Sequence, residues 1–329
     1  MLIAQPKGSQ FHVLDSFSKS VQLGQGLESS GKLSRASMNC TVNAMRICRQ
    51  KLERHGVTNM RLVATEACRR ARNGENFVAQ VRRETGLELE IIKPEEEARL
   101  AVISCAPLVS TKTEQLLVVD IGGGSTELVW IDLTNVPERE RPRAIMRLHK
   151  GFKSDPGPFA AARVVDWISV PLGVATLRDQ FEDVEDDAAR FALMSWFFEE
   201  SLEDFSPYAA AQTREGFQIV GTSGTVTTVA ASHLGLKRYD RTKVDGLRMS
   251  TDQIDAVIQN YLNMGPAGRR ADPRIGKDRQ ALIMSGAAIL QTLMRLWPTD
   301  RLSVADRGLR EGLLYAQMSA HGVLEDTPY

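Results

Sequence analysis

An excess of charge of either sign is missing from this 329-residue sequence: Lys plus Arg number 41, and so do Asp plus Glu. General nucleic-acid binders carry a basic surplus, so that class is disfavoured, while local basic patches stay open. Aromatic residues are sparse at 6%, which leaves little for stacking on bases. No stretch nears the roughly 18 uninterrupted apolar residues of a membrane-spanning helix, and no membrane partner is expected. The opening Met1-Leu2-Ile3-Ala4-Gln5-Pro6-Lys7 has neither a basic start nor a long apolar core, so no signal peptide is read there and a cytoplasmic protein is expected. Cysteine is rare. Cys40, Cys48, Cys68 and Cys105 show no paired metal spacing and read as buried free thiols in a reducing compartment. The five histidines are scattered, and none reads as a metal ligand.

What remains is ordinary soluble composition, 43% hydrophobic and 25% charged, at a length that suggests two domains. Leu2–Ala4, Phe11–Phe17 and Ser20–Leu23 read as consecutive strands, with a turn at Pro6-Lys7-Gly8-Ser9. Ser34 is a good N-cap for a helix to about His55, with Met38, Val42, Met45, Cys48 and Leu52 at steps of three and four. Met60–Thr65 and Leu87–Ile92 are strands, and Glu75–Thr85 is a helix ended by Gly86. Pro94 opens a helix over Glu95–Ile103. Strands alternating with helices predict an α/β fold. Further on, Arg143–Leu148 reads as a strand inside a basic, Pro/Gly-rich loop that includes Arg139, Arg141, Arg147, Lys150, Lys153 and Pro156-Gly157-Pro158. Trp167–Pro171 is a short apolar run, and helices follow at Gly173–Phe181 and Asp186–Phe205. Phe217–Val220 is a strand, and helices are predicted at Val226–Leu234, Asp252–Met264, Arg279–Leu296 and Leu309–Met318. No internal repeat stands out.

The chain is organised around residues 115–131. Leu116–Val119 and Thr126–Ile131 are apolar runs joined by Asp120-Ile121-Gly122-Gly123-Gly124-Ser125, which reads as strand, glycine turn, strand. Unshielded backbone N–H groups in such a turn suit phosphate. Asp120 and Glu127 flank it and suit metal-assisted phosphoryl chemistry; the plain alternative is a hairpin whose Asp starts the turn. A second turn, Gly221-Thr222-Ser223-Gly224-Thr225, lies between a strand and a helix. It is either an anion site at a helix N-terminus or an ordinary N-cap. Glu95, Glu96 and Glu97 offset a helix dipole, unless one is a tuned general base. Arg69 either contacts phosphate or sits on a solvated helix face. Arg269, Arg270, Arg274, Lys277 and Arg279 could hold a long anion or be scattered surface charge.

Together, Ala64-Thr-Glu-Ala-Cys-Arg69, Phe77–Gly86, Glu96-Glu-Ala-Arg-Leu100, Asp120-Ile-Gly-Gly-Gly-Ser-Thr-Glu-Leu128, Pro171-Leu-Gly173, Gly221–Thr225 and residues 275–290 resemble the exopolyphosphatase/guanosine pentaphosphate phosphohydrolase family of the actin-like ATPase superfamily. Residues 132–166 are the least family-like. The resemblance implies two actin-like (ribonuclease H-like) α/β domains, mixed sheets flanked by helices, with a cleft between them. Residues 1–112, with a returning helix at about 308–329, would form the first domain, and 113–307 the second. It implies Glu97 as general base, and Asp120 and Glu127 as ligands of Mg²⁺ and water. Gly122, Gly123, Gly124 and Ser125 would hold phosphate, Gly221–Thr225 would face them, and Arg69 would contact phosphate. The expected activity is hydrolysis of terminal phosphoanhydride bonds of polyphosphate or guanosine pentaphosphate by a homodimer. The alternative is a non-catalytic binder of guanosine tetraphosphate or polyphosphate. A sugar or acetate kinase of the superfamily would need an adenosine pocket, which nothing here marks. One departure stands out: Met1–Ala4 matches the strand that follows the family's first phosphate loop. That loop and its lead-in strand, about twenty residues, are expected to be missing. An end at Tyr329 leaves no room for extra C-terminal domains, which suggests short chains or nucleotides as substrates.

Overall fold

Short apolar runs and amphipathic stretches alternate along the chain and fold accordingly. The computed structural model describes residues 1–152, 162–208 and 216–324, and the chain divides into unit 1, Met1–Glu97 with Leu309–Tyr329, and unit 2, Ala98–Gly308. Lys153 and Pro156-Gly157-Pro158 lie outside the described residues.

Unit 1 begins with the antiparallel hairpin β1 (Leu2–Lys7) and β2 (Gln10–Ser16), turned at Gly8, where φ is 60°. A short helix α1 (Leu27–Ser30) precedes α2 (Arg35–Arg54). The Ser34 side chain accepts from Ser37 N at 3.1 Å and caps α2. Replacing Ser34 with Ala leaves that donor without its acceptor and is expected to cost about 1 kcal/mol, which chemical denaturation would measure. Val42, Cys48 and Leu52 are the buried stripe of α2. Next come β3 (Val63–Ala64), α3 (Glu66–Arg70), α4 (Gly74–Thr85) and β4 (Glu90–Ile91), with β3 and β4 parallel. Gly86 ends α4 at φ 68°, as a left-handed C-terminal stop requires. Ile3, Leu27, Val42, Phe77, Val81 and Leu87 are among the buried core of this unit. α5 (Pro94–Cys105) contains the division between the units.

Unit 2 is built on a mixed sheet in the order β7-β6-β5-β8-β10-β9. Its elements run β5 (Gln115–Ile121), β6 (Thr126–Asp132), α6 (Arg141–Arg147), β7 (Arg163–Val170), α7 (Val174–Gln180), α8 (Asp187–Glu200), β8 (Phe217–Thr222), α9 (Gly224–His233), α10 (Arg241–Val244), β9 (Arg248–Met249), α11 (Thr251–Ala271), α12 (Ile283–Leu296) and β10 (Leu302–Ala305). α13 (Leu309–Ala320) then returns to unit 1, where Tyr315 packs its ring 5.0 Å from that of Phe11. β5 is antiparallel to β6 and parallel to β8, and it is buried along Leu116–Val119, as a central strand demands.

The units share a topological plan that the sequence hid. β1–β2 corresponds to β6–β7, each an antiparallel pair, and β3–β4 corresponds to β8–β10, each parallel.

Several expectations are corrected. Ser20–Leu23 forms no strand; its backbone turns, with Gln22 at φ 45°. Arg143–Leu148 is helical, because Pro142 sits in the first turn of α6 and Ala144, Ile145 and Met146 turn inward together. α11 extends beyond Met264 but breaks at Gly265, φ 62°, before Pro266. α12 starts at Ile283 rather than Arg279, and β9 and β10 are additional strands. All four cysteines are free thiols, three of them buried. Burial pushes the Cys68 thiol up to about 11 and that of Cys105 to about 12. Among the described residues, no helix is long and apolar enough to cross a membrane.

Candidate active site

The glycine turn of unit 2 is held both by its own hydrogen bond and by the start of a helix. Gly122 N donates to Ser125 O at 2.9 Å and closes the turn. Its outward carbonyls are taken by α7: Val174 N donates to Gly122 O at 3.0 Å and Ala175 N to Gly123 O at 2.9 Å. The first N–H groups of α7 are thereby spent on the turn, while those of Gly123 and Gly124 have no acceptor among the described residues. Gly173, at the N-cap of α7, explains the Pro-Leu-Gly motif. A Cβ there would sit 2.5 Å from Gly122 O, 2.5 Å from Gly123 C and 2.6 Å from Gly124 N.

Asp120 and Glu127 are direct cross-strand partners. One rung of the sheet reads Ser169, Glu127, Asp120, Thr222, Ala305 across five strands. Cross-strand partners share a face, with Cβ atoms about 5 Å apart. Glu127 is 2% exposed and accepts from Ser169 Oγ at 2.8 Å. Thr222 Oγ1 donates to Arg307 O. Among the described residues, no group of three or more His, Cys, Asp or Glu is placed to hold a metal. The two facing carboxylates still fit Mg²⁺, which commonly binds one or two carboxylates and completes its shell with water and phosphate oxygens.

The second turn opens α9. Ser223 Oγ accepts from Val226 N at 3.0 Å, and Ser223 O accepts from Thr227 N. The N–H groups of Gly224 and Thr225 have no acceptor among the described residues and lie at a helix N-terminus suited to an anion. Of the two predicted readings, the N-cap is seen, with Ser223 as the capping residue. Thr225 packs so closely on α12 that a Cβ at Gly286 would lie 2.0 Å from its Oγ1.

The two turns face one cavity. Gly122 and Gly123 line it from the first, Gly224 and Thr225 from the second, and Arg279 closes it. Arg279 Nη1 donates to Gly224 O at 2.8 Å and to Thr228 Oγ1 at 2.6 Å, and among the described residues no carboxylate pairs with it. Of the remaining predicted turn residues, Ser125 is buried, Gly221 packs against Val226, and Gly124, Thr222 and Ser223 act as described. The basic cluster around Arg279 is dispersed. Arg269 is buried against Asp187 at 2.7 Å, and Arg274 pairs with Asp272 at 2.6 Å. In the 139–153 segment, Arg141 is buried and bonds the Val136 and Thr111 carbonyls.

Glu97 and Arg69 belong to unit 1. Arg69 Nη1 donates to Glu97 Oε2 at 2.8 Å and to Ile92 O at 2.8 Å, while Nη2 reaches Glu66 Oε2 at 2.9 Å. Burial raises the Glu97 carboxyl above its usual range, opposed by Arg69 and by a hydrogen bond with Thr65. Glu96 instead pairs with Arg61 at 2.8 Å, and Glu95 is exposed, so both fit the helix-dipole role. Ser169, Thr65, Glu66 and the individual place of Arg279 escaped the sequence reading. The Pro-Leu-Gly motif and the Arg just ahead of α12 were the available signals.

Comparison with known proteins shows the family of the chain. Residues 2–321 match the Ppx/GppA phosphatase family. A guanosine-5'-triphosphate,3'-diphosphate pyrophosphatase of Aeromonas salmonicida is 27% identical over 316 residues, 96% of this chain and 56% of that protein. Exopolyphosphatase 1 of Mycobacterium bovis is 25% identical over 97% of this chain and 85% of its own length. The chain thus spans little more than half of the Aeromonas proteins it matches. The crystal structure of the Aquifex aeolicus Ppx/GppA family member superposes with a TM-score of 0.74 at 26% identity, covering 97% of this chain and 94% of that one. The expected actin-like α/β fold is the fold of these relatives. Matched over residues 2–321, nearly its whole length, the chain belongs to the Ppx/GppA phosphatase family.

Proposed function

We propose that this chain hydrolyses terminal phosphoanhydride bonds of inorganic polyphosphate or guanosine pentaphosphate, with Mg²⁺. The observation that carries the reading is the cavity of unit 2, where two turns with unspent N–H donors and the Arg279 guanidinium converge next to the Asp120–Glu127 pair. A phosphoryl group needs its equatorial oxygens neutralised and a water in line, with little covalent help from the protein. Gly123, Gly124, Gly224 and Thr225 donate to phosphate oxygens, and Arg279 adds positive charge. Asp120 and Glu127 would hold Mg²⁺, which supplies charge neutralisation on the phosphate oxygens. Ser169 fixes the Glu127 carboxylate in place. The resemblance gives Glu97 the role of taking the proton of the attacking water, and within unit 1 Arg69 holds the Glu97 carboxylate in orientation. Arg69 contact with phosphate, action as a homodimer and a cytoplasmic location belong to the same proposal and rest on the resemblance.

The test is release of orthophosphate from tripolyphosphate and from guanosine pentaphosphate, with Mg²⁺ and with chelator. Release that requires Mg²⁺ is expected. Arg279→Ala is expected to raise KM about tenfold, the loss of one charge-assisted contact. Tight binding of either compound without phosphate release would overturn the enzyme reading in favour of a non-catalytic sensor.

A further inference from the structure

Within unit 1, Arg69 serves two carboxylates at once. Its Nη1 donates to Glu97 Oε2 at 2.8 Å, while Nη2 and Nε donate to Glu66 Oε2 at 2.9 and 3.3 Å. Nη1 also donates to Ile92 O at 2.8 Å, so three partners fix the guanidinium. Glu66 and Arg69 stand three residues apart on α3, a spacing that brings their side chains to one face. The side chains of Glu66, Arg69 and Glu97 are only 12–15% exposed, so salt and solvent screen the set weakly. The other oxygen of Glu66, Oε1, lies 3.7 Å from Nε of Arg70, whose side chain is more open at 33%.

One guanidinium between two acids is an uneven match. An opposite charge beside a carboxylate favours its ionised form and makes it a weaker base. A Glu97 paired with Arg69 alone would therefore hold a proton poorly. Glu66 works against this: burial does most to raise the Glu97 carboxyl, Arg69 and Thr65 lower it, and the Glu66 charge raises it again. On α5 itself, Glu96 is paired with Arg61 and Glu95 and Lys93 are exposed. We infer that Glu66 is a positioning residue for the proposed base: it holds Arg69 in place for Glu97 and takes a share of its charge, so that Glu97 keeps its affinity for a proton. The inference rests on the reading of Glu97 as the base.

The experiment follows the Glu97 carboxyl carbon by NMR through a pH titration of the whole chain labelled with ¹³C-glutamate, with Glu97→Gln identifying the signal. Glu66→Gln keeps an oxygen that accepts from Arg69 and removes only the charge. Its Glu97 midpoint is expected to fall, and the acid limb of phosphate release to move down with it. On that limb the rate follows the ionised fraction, so activity relative to the plateau is expected to rise at least roughly threefold, while kcat at the plateau falls and KM holds. Glu66→Asp restores the charge and is expected to return the midpoint toward that of the parent. A midpoint that stays or rises in Glu66→Gln overturns the inference. So does a rate loss equal at every pH, which would make Glu66 a purely structural residue. A limb lost in Glu97→Gln but unmoved in Glu66→Gln sinks this inference alone. A limb that survives in Glu97→Gln sinks the base reading itself, and this inference with it.

Discussion

Glu97→Gln is expected to lower the rate of phosphate release by at least ~100-fold, the usual worth of a positioned general base. The substitution is isosteric, and the new amide oxygen can still accept from Arg69, whose guanidinium remains paired with Glu66. The fold is therefore expected to survive, and KM to change far less than kcat. The pH profile gives an independent sign. Burial holds the Glu97 proton more tightly than its ordinary 4.5, with Arg69 opposing. The base works only when ionised, so activity rises with pH through that raised value, and the acid limb lies above 4.5. Glu97→Gln removes the limb. A variant that keeps full activity, or an unchanged acid limb, would take Glu97 out of the chemistry.

Gly173→Ala is expected to abolish most activity without touching any charged group. The added methyl would lie 2.5–2.6 Å from three backbone atoms of Gly122, Gly123 and Gly124. Backbone cannot rotate aside as a side chain can, so the turn or the start of α7 must move. Those same segments are tied by Val174 N to Gly122 O and Ala175 N to Gly123 O, and movement breaks these bonds. Overpacking of this kind costs about 1–3 kcal/mol. Displacing the donors by about an ångström is expected to cost roughly 100-fold in kcat/KM. Gly276→Ala is the control: nothing lies within 4 Å and its φ is −56°. It is expected to change stability by no more than about 0.5 kcal/mol. Denaturation curves alongside kinetics check both.

Much of the site was legible because its signals are local. A glycine string between apolar runs, flanked by two carboxylates, can be read directly, and the hairpin β5–β6 pairs Asp120 with Glu127. Ser223 before α9 and Ser34 before α2 declare themselves as caps. What escaped depends on long-range packing. β10 is only Leu302–Ala305, and it becomes a strand because it lies between β8 and β9. The run Ala144-Ile145-Met146 is too short for periodicity to separate strand from helix, and Pro142 was the overlooked signal. Ser169 is recognisable as the partner of Glu127 only once β7 is laid beside β6. The repeated plan of the two units lies in strand order and direction, which residue-by-residue comparison does not see.

The most direct measurement is hydrolysis of tripolyphosphate and guanosine pentaphosphate in ¹⁸O-water with Mg²⁺, followed by mass spectrometry of the released orthophosphate. Attack by a water that Glu97 deprotonates predicts one ¹⁸O in each orthophosphate released, at a rate at least ~100-fold lower in Glu97→Gln. Bound substrate that yields no labelled orthophosphate, or label release that is indifferent to Glu97, would contradict the account.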